Sequence, residues 1–154
     1  MAHTLLIDQP SLEGFCAVSE AVDKLAHDSG TDERGAIYTR REVVEFMLDL
    51  AGYVPSRPLH RMRLLEPSFG GGEFLLAAIR RLLTAAKASD GPADLIDCIR
   101  AVELHRSTFD ATKAKADTLL SEHGLDETER SRLISAWLTA GDFLLHPMQG
   151  RAIA

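Results

Sequence analysis

A glycine-rich stretch, residues 64–75, constrains the fold of this 154-residue chain more than any other part of the sequence. It reads LLEPSFGGGEFL: an apolar run stops at Glu66 and Pro67, and three glycines follow. From Glu73 onward the apolar residues recur at helical spacing. The pattern predicts a buried strand, a glycine turn and a helix. Because glycine has no Cβ, such a turn lets backbone amides approach a ligand closely.

Three interpretations of this turn are open: a dinucleotide site, a methyl-donor site, and a structural turn without a ligand. Dinucleotide sites use G-x-G-x-x-G, but here Gly70 and Gly72 are followed by Leu75 in the third position. The next suitable acid, Glu103, comes 31 residues after Gly72 (103 − 72), whereas dinucleotide sites place it about 20 residues on. A carboxylate at Glu66 suits a cationic group better than a pyrophosphate. S-adenosylmethionine carries an ammonium and a sulfonium, so the sequence favours a methyl-donor site.

Two further acids follow predicted strands. Residues 95–103, LIDCIRAVE, predict a second buried strand that ends at Glu103, with a short helical turn before it. A carboxylate there can accept both ribose hydroxyls of a nucleoside, although a helix-capping acid is an alternative. Residues 133–138, LISAWL, predict a third strand, followed shortly by Asp142 and Phe143. Open α/β sheets bind ligands at the carboxyl ends of their strands, so these acids should converge.

Helical patterns surround the predicted strands. Apolar spacing predicts helices over residues 11–27, 73–87 and 107–123, and a short helical turn over 126–132. Thr39 and Glu42 form a capping-box pattern, which predicts a helix that begins at Arg40 and stops near Gly52. Residues 54–63 are predicted to be an extended linker, with the first strand following from about Arg61.

These motifs resemble those of the adenine-specific DNA methyltransferases of restriction–modification systems, in the arrangement that has the cofactor motifs first. The glycine motif of that family usually reads Asp-Pro-Ala-Cys-Gly-Ser-Gly-x-Phe-Leu. The residues that match it in kind are Glu66, Pro67, Gly70, Gly72, Phe74 and Leu75. Ser68, Phe69 and Gly71 differ from the commonest residues.

The resemblance implies roles for residues on both sides of the glycine motif. The family's Gly-x-Tyr-Tyr-Thr-Pro stretch, which encloses the methyl donor, is matched at Gly35, Tyr38 and Thr39, while Ile37 and Arg40 replace its first Tyr and its Pro. Glu103 matches the acid that binds the ribose. Asp142 matches the acid that accepts a hydrogen bond from the adenine amino group, and Phe143 could pack on the adenine. The implied cofactor site therefore comprises Tyr38, Thr39, Glu66, Pro67, Gly70, Gly72, Glu103, Asp142 and Phe143, with S-adenosylmethionine as cofactor.

The same resemblance implies an α/β chain with a partial Rossmann-like methyltransferase fold: about three parallel strands with flanking helices, preceded by N-terminal helices. Residues 1–34 would be an N-terminal helical extension, and residues 35–154 the N-terminal half of an S-adenosylmethionine-binding domain. The family's catalytic Asn-Pro-Pro-Tyr is absent from the 154 residues, so no catalytic residue is assigned and the chain alone is expected to be inactive.

In a methyltransferase sheet of order 3-2-1-4-5-7-6, the glycine-turn strand would be left as an open edge. Open edges pair with other chains, so self-association or a second polypeptide is expected there, and DNA contacts only through missing parts or a partner. A non-catalytic subunit that regulates a partner is the main alternative function. A small-molecule methyltransferase or a nicotinamide enzyme is a further one.

The net charge and the cysteines restrict the kind of protein that this chain can be. The net charge of −6 argues against a free-standing basic nucleic-acid binder. Cys16 and Cys98 have no metal-ligand spacing, so they are predicted to be buried free thiols and no metal is expected. No signal peptide or spanning segment is recognisable, which predicts a cytoplasmic protein.

Overall fold

A computed structural model describes residues 39–86 and 92–145. The predicted helix 11–27, the domain boundary after residue 34, Tyr38 and Cys16 lie outside these residues. The described elements, in chain order, are α1 (Arg41–Leu50), a 3-10 turn (Leu59–Arg61), β1 (Leu64–Glu66), α2 (Glu73–Ala85), α3 (Pro92–Leu95), β2 (Ile99–Glu103), α4 (Arg106–Glu122), α5 (Glu127–Trp137) and β3 (Leu138–Ala140).

The three described strands form one parallel sheet in the order β1-β2-β3. Leu64 is paired with Ile99, and Glu103 is paired with Ala140. Strands alternating with helices confirm the predicted α/β class and its partial Rossmann-like form. Within the described sheet β1 has β2 as its neighbour on one side, so the strand before the glycine turn is an edge, as the sequence predicted.

The core lies between the sheet and the helices. From α2, the side chains of Leu75, Ala78, Ile79 and Leu82 are fully buried. Trp137, at the end of α5, is buried as well, and its indole Nε1–H donates to the carbonyl oxygen of Leu95 at 2.9 Å. This hydrogen bond satisfies the polar atom of the largest core side chain and ties α5 to the segment that precedes β2.

The start of α1 differs from the prediction. The helix begins at Arg41, its N-cap is Arg40, and no side chain caps it. The carbonyl oxygen of Arg40 accepts hydrogen bonds from the amides of Val43 and Val44, so the extended residue Arg40 occupies the cap position that the sequence assigned to Thr39. The predicted Thr39–Glu42 capping box is therefore wrong.

The predicted stop of α1 is confirmed. Gly52 has φ +71°, and the amide of Tyr53 donates to the carbonyl of Leu48 at 2.8 Å. This is the hydrogen-bond pattern with which a left-handed glycine ends a helix.

The largest error concerns residues 133–138, which are helical up to Trp137 rather than a strand. Asp126 and Glu129 form a capping box: the Asp126 side chain accepts from the Glu129 amide at 2.8 Å, and the Glu129 side chain accepts from the Asp126 amide at 2.9 Å. The helix that starts there continues because Leu133, Ile134 and Trp137 are buried at helical spacing. The third strand is thus shifted to Leu138–Ala140 and still ends just before Gly141.

Two strand starts are also later than predicted. β2 begins at Ile99, and the expected helical turn before it is α3. The predicted extended linker contains the 3-10 turn, so β1 begins at Leu64 rather than near Arg61. The predicted helix over 107–123 is confirmed as α4, and Gly124 follows it with φ +85°.

Candidate functional site at the carboxyl edge of the sheet

The three predicted acids lie at the carboxyl ends of neighbouring parallel strands. Glu66 and Glu103 are the last residues of β1 and β2, and Asp142 follows β3 by two residues. The amide of Gly141 donates to the carbonyl of Glu103 at 2.9 Å, which holds the loop after β3 against the tip of β2. The sheet therefore brings all three carboxylates to one edge.

Glu103 joins the tip of β2 to the glycine turn. Its side chain is 2% exposed, and its two carboxylate oxygens accept hydrogen bonds from different backbone amides. Oε2 accepts from the amide of Gly70 at 2.9 Å, and Oε1 accepts from the amide of His105 at 2.8 Å. Because a carboxylate has about four lone-pair sites, both oxygens keep further accepting capacity.

Two side chains of α4 hold the same turn from the other strand–helix unit. The Thr112 hydroxyl donates to the Gly70 carbonyl at 2.8 Å, and Lys115 Nζ donates to the Gly71 carbonyl at 3.1 Å. Neither role was predicted from the sequence. The available signal was Thr112, a polar residue at helical spacing with the apolar residues Ala116, Leu119 and Leu120, and the structure buries its hydroxyl fully. The turn is thus positioned by side chains that come after β2.

Gly70 and Gly72 perform different tasks. Gly70 has φ +50°, and a Cβ there would meet no atom within 4 Å, so it borders open space. Gly72 has φ +90°, and a Cβ there would lie 2.6 Å from Thr112 Cγ2. Gly72 is required by close packing against α4, whereas Gly70 leaves free the space above the turn where a ligand could approach the backbone.

Phe69, one of the departures from the family motif, is accounted for by packing. Its side chain is 4% exposed, and its ring lies 5.8 Å from that of Phe109 in α4, centroid to centroid. The amide of Phe69 donates to the carbonyl of Val102 at 3.1 Å. The residue anchors the glycine turn to β2 and α4, so its size supports the turn.

Glu66 is half-buried and forms no ion pair with any residue of the ranges 39–86 and 92–145. Burial raises the pKa of its carboxyl above the ordinary value of 4.5, and a hydrogen bond from the Ser68 amide at 3.4 Å opposes this rise. A carboxylate that is desolvated without a countercharge gains most from a cationic ligand group.

For the remaining predicted site residues the structure gives fewer contacts. The Asp142 side chain accepts from the Leu144 amide at 2.8 Å, and Asp142, Phe143 and Thr39 are half-buried. Pro67 is exposed. Asp142 and Phe143 follow the carboxyl end of β3.

A cavity of about 310 Å³ borders the glycine turn on the side of α1. Its lining includes Gly71 and Gly72 together with the cationic side chains of Arg41, Arg80 and Lys115. None of the three predicted carboxylates lines it. Cavity and carboxylates therefore flank the same turn without coinciding, and we assign the candidate nucleoside site to the carboxylates because they lie at the strand ends.

Two further properties of the described residues bear on function. Among them, no group of three or more His, Cys, Asp or Glu side chains is arranged to hold a metal ion. None of their helices has the length and apolar character needed to cross a membrane.

Sequence comparison identifies relatives of this chain as type II methyltransferases of restriction–modification systems. The chain is 50% identical over 147 residues to the type II methyltransferase M.PaeR7I of Pseudomonas aeruginosa, a match that covers 93% of this chain and 26% of the relative. It is 42% identical to M.XhoI of Xanthomonas vasicola, over 76% of this chain and 22% of the relative. It is 38% identical to M.BstVI of Geobacillus stearothermophilus, over 72% of this chain and 21% of the relative.

The chain is therefore related to the restriction–modification methyltransferases, as its motifs suggested, and it spans about a quarter of the length of these relatives. No family model matches the chain, and no solved structure matches it.

Proposed function

We propose that this chain binds S-adenosylmethionine at the carboxyl edge of its sheet, as the cofactor-binding part of an adenine-specific DNA methyltransferase. The observation that carries the proposal is the buried Glu103 carboxylate, hydrogen-bonded to the Gly70 amide at 2.9 Å, between the strand ends that bear Glu66 and Asp142. A nucleoside presents ribose hydroxyls and an amino group, and all of these donate to carboxylates.

Each residue has a role in this proposal. The lone pairs left on Glu103 accept the ribose hydroxyls, Asp142 accepts from the adenine amino group, and Phe143 packs against the base. Glu66 faces the ammonium of the methionine part, which provides the countercharge that Glu66 lacks among the described residues. The remaining members of the site line or cover the donor: Tyr38, Thr39, Pro67, Gly70 and Gly72.

We propose methyl transfer to DNA only for this chain together with further polypeptide. An adenine must be extruded from the duplex before its amino group can be methylated. The extrusion requires side chains that bind the base outside the duplex. The Asn-Pro-Pro-Tyr tetrapeptide that supplies them in the family does not occur in the 154 residues. This chain therefore binds and orients the methyl donor. A further polypeptide supplies the groups that bind and activate the adenine.

We further propose that the open side of β1 is covered by that other polypeptide. Among the described strands β1 pairs with β2 alone, and Leu65 in its middle is 47% exposed. An edge strand with an exposed apolar side chain is a template for strand pairing. The expected behaviour of the isolated chain is self-association, measured by light scattering. A monodisperse monomer at high micromolar concentration would count against this pairing.

Calorimetric titration with S-adenosylmethionine tests the proposal. A folded sample is expected to bind one donor per chain, and Asp142→Asn is expected to weaken binding about tenfold, the loss of one charge-assisted hydrogen bond. Asp110→Asn, an exposed acid on α4, serves as the matched control and should bind normally. Absence of heat at millimolar donor, with circular dichroism showing a folded chain, would reject the site.

A further inference from the structure

One side of α1 carries large apolar side chains that the described residues leave uncovered. The exposed fractions are 44% for Val43, 64% for Phe46, 48% for Met47 and 76% for Leu50. These positions are separated by three, one and three residues, so they form one stripe along the helix, here called the α1 stripe. Val44 and Leu48 of the same helix are buried in the core. A helix that is apolar on two sides is expected to pack on two sides.

The orientation of α1 is fixed, so the stripe cannot turn inward. The guanidinium of Arg81, on α2, donates to the Asp49 carboxylate at 2.7 Å and to the Tyr53 carbonyl at 2.9 Å. It also forms an ion pair with Glu45 and bonds to the carbonyl of that residue. These contacts hold one polar side of α1 against α2 while the α1 stripe faces outward. Contiguous exposed apolar surface of this kind marks an interaction site.

We propose that residues 11–27 of the same chain cover the α1 stripe as an amphipathic helix. This segment lies outside the described residues, and its sequence has apolar residues at helical spacing: Leu12, Phe15, Cys16, Val22, Leu25 and Ala26. Its polar side carries Glu20, Asp23 and Lys24. One apolar side matches one uncovered apolar stripe, and the charged side would remain in water.

The connection between the two partners is long enough. Residues 28–40 can span roughly 40 Å when extended, at about 3.3 Å per residue. α1 itself has 10 residues and is about 15 Å long at 1.5 Å rise per residue. A helix of residues 11–27 can therefore return alongside α1 as an antiparallel helix pair. A tethered segment also acts at an effective concentration of about millimolar, which favours it over a second copy of the chain at micromolar concentration.

Disulfide trapping tests the proposal with the cysteines that the chain already contains. Cys16 lies in the segment, while Cys98 is fully buried and burial raises its thiol pKa to about 11, which keeps Cys98 out of thiolate chemistry at pH 8. A new cysteine is placed at one stripe position at a time, in Val43→Cys, Phe46→Cys, Met47→Cys and Leu50→Cys. Ser121→Cys, an exposed position near the end of α4, is the control.

At low micromolar chain concentration, at least one stripe variant is expected to form an intramolecular disulfide with Cys16 at least ten times faster than Ser121→Cys. Peptide mass mapping after oxidation identifies the pair. If all four stripe variants react at the control rate, the proposal is wrong. If they give only disulfides between chains, the stripe belongs to a second copy and the proposal is also wrong.

Amide hydrogen exchange tests the same proposal without a disulfide, on chains in which residues 11–27 are unchanged. Amides of residues 11–27 are expected to be protected in the unmodified chain and to exchange at least ten times faster in Phe46→Glu, which places a charge in the α1 stripe. Glu42→Gln, an exposed polar change on the same helix, should leave the protection unaltered. No protection of the segment in the unmodified chain would overturn the proposal.

Discussion

The Gly70 amide donates a hydrogen bond to Oε2 of Glu103 at 2.9 Å, across 33 residues of sequence. This contact joins the glycine turn after β1 to the tip of β2. The other carboxylate oxygen accepts from the amide of His105, so one buried side chain satisfies two loop amides. Glu103 is therefore a structural link as well as a candidate ligand for a nucleoside.

Replacing Glu103 should affect both stability and binding. In Glu103→Ala two part-buried amides lose their acceptor, and each unsatisfied group costs about 1–3 kcal/mol, so the free energy of unfolding should fall by about 2–6 kcal/mol. Urea denaturation measures this change. Glu122→Ala, an exposed acid at the end of α4, is the control and should remain within about 0.5 kcal/mol of the unmodified chain. An unchanged stability of Glu103→Ala would contradict the contact.

The two glycines with positive φ should respond differently to alanine. Gly72→Ala adds a left-handed backbone cost of about 1–2 kcal/mol to a contact 2.6 Å from Thr112 Cγ2, so it should destabilise by about 3 kcal/mol or more. Gly70→Ala meets no atom and should cost about 1–2 kcal/mol from the backbone alone. The comparison requires thermal or urea unfolding of both variants. Equal losses would show that Gly72 does not pack as described.

Gly70→Ala also tests the binding role of the open space above the turn. Its methyl group would project into the region that the methyl donor should occupy, so affinity for S-adenosylmethionine should fall at least tenfold although most of the stability is retained. Calorimetry on the folded variant measures the affinity. Unimpaired binding would move the donor away from Gly70.

Most of the fold could be predicted from sequence because the signals were local and agreed with one another. The glycine turn combined an apolar run, three glycines and a change to helical period, and it lies where it was expected. The second half of α5 was mistaken for a strand because LISAWL is a short apolar run, and periodicity alone does not distinguish a buried strand from a buried helix segment. The Asp126–Glu129 capping box was the local signal that would have corrected it.

The contacts within the candidate site were not predicted, because they connect residues that are distant in sequence. Strand order and chain direction were sufficient to bring Glu66, Glu103 and Asp142 to one edge. The hydrogen bonds of Thr112 and Lys115 to the glycine turn span 42 and 44 residues. The spacing of apolar residues along the sequence does not predict such contacts. The cap of α1 was predicted wrongly for a different reason: the capping-box pattern places the N-cap at Thr39, whereas the helix starts one residue later, with the extended residue Arg40 as its N-cap.

Arg81 is expected to be the main link between α1 and α2. Arg81→Met removes hydrogen bonds to two carboxylates and two carbonyls, and we expect a loss of about 2–4 kcal/mol in the free energy of unfolding. Arg80→Met, the exposed neighbour, should change stability by less than about 0.5 kcal/mol. Denaturant unfolding measures the free energy of unfolding of both variants. A larger decrease for Arg80→Met than for Arg81→Met would refute this role of Arg81.

The raised pKa of Glu66 predicts a pH dependence with a definite sign. The folded chain favours the protonated carboxyl more than the unfolded chain does, so Glu66 contributes stability below its folded pKa and loses that contribution as the pH rises through it. At pH 8 Glu66→Gln should therefore unfold at the same temperature as the unmodified chain or slightly higher. A clearly lower melting temperature would contradict the desolvation.

Binding of the cationic donor should show the opposite trend with pH. Its affinity should fall as the pH is lowered through the raised pKa of Glu66, which lies above 4.5, because protonation removes the countercharge for the ammonium. Calorimetry from pH 8 down to pH 4 follows this loss. Glu66→Gln should bind weakly at every pH, with a flatter profile, and a profile as steep as that of the unmodified chain would exclude Glu66 as the titrating group.

The most direct test of the nucleoside site is an amide NMR titration of the labelled chain with S-adenosylmethionine. We expect the amides of Gly70, His105 and Leu144 to shift together with a single dissociation constant, because each donates to a carboxylate of the proposed site. Amides at the far end of α4, such as that of Ser121, should stay in place. Shifts confined to other parts of the chain, or none at millimolar donor in a folded sample, would contradict it.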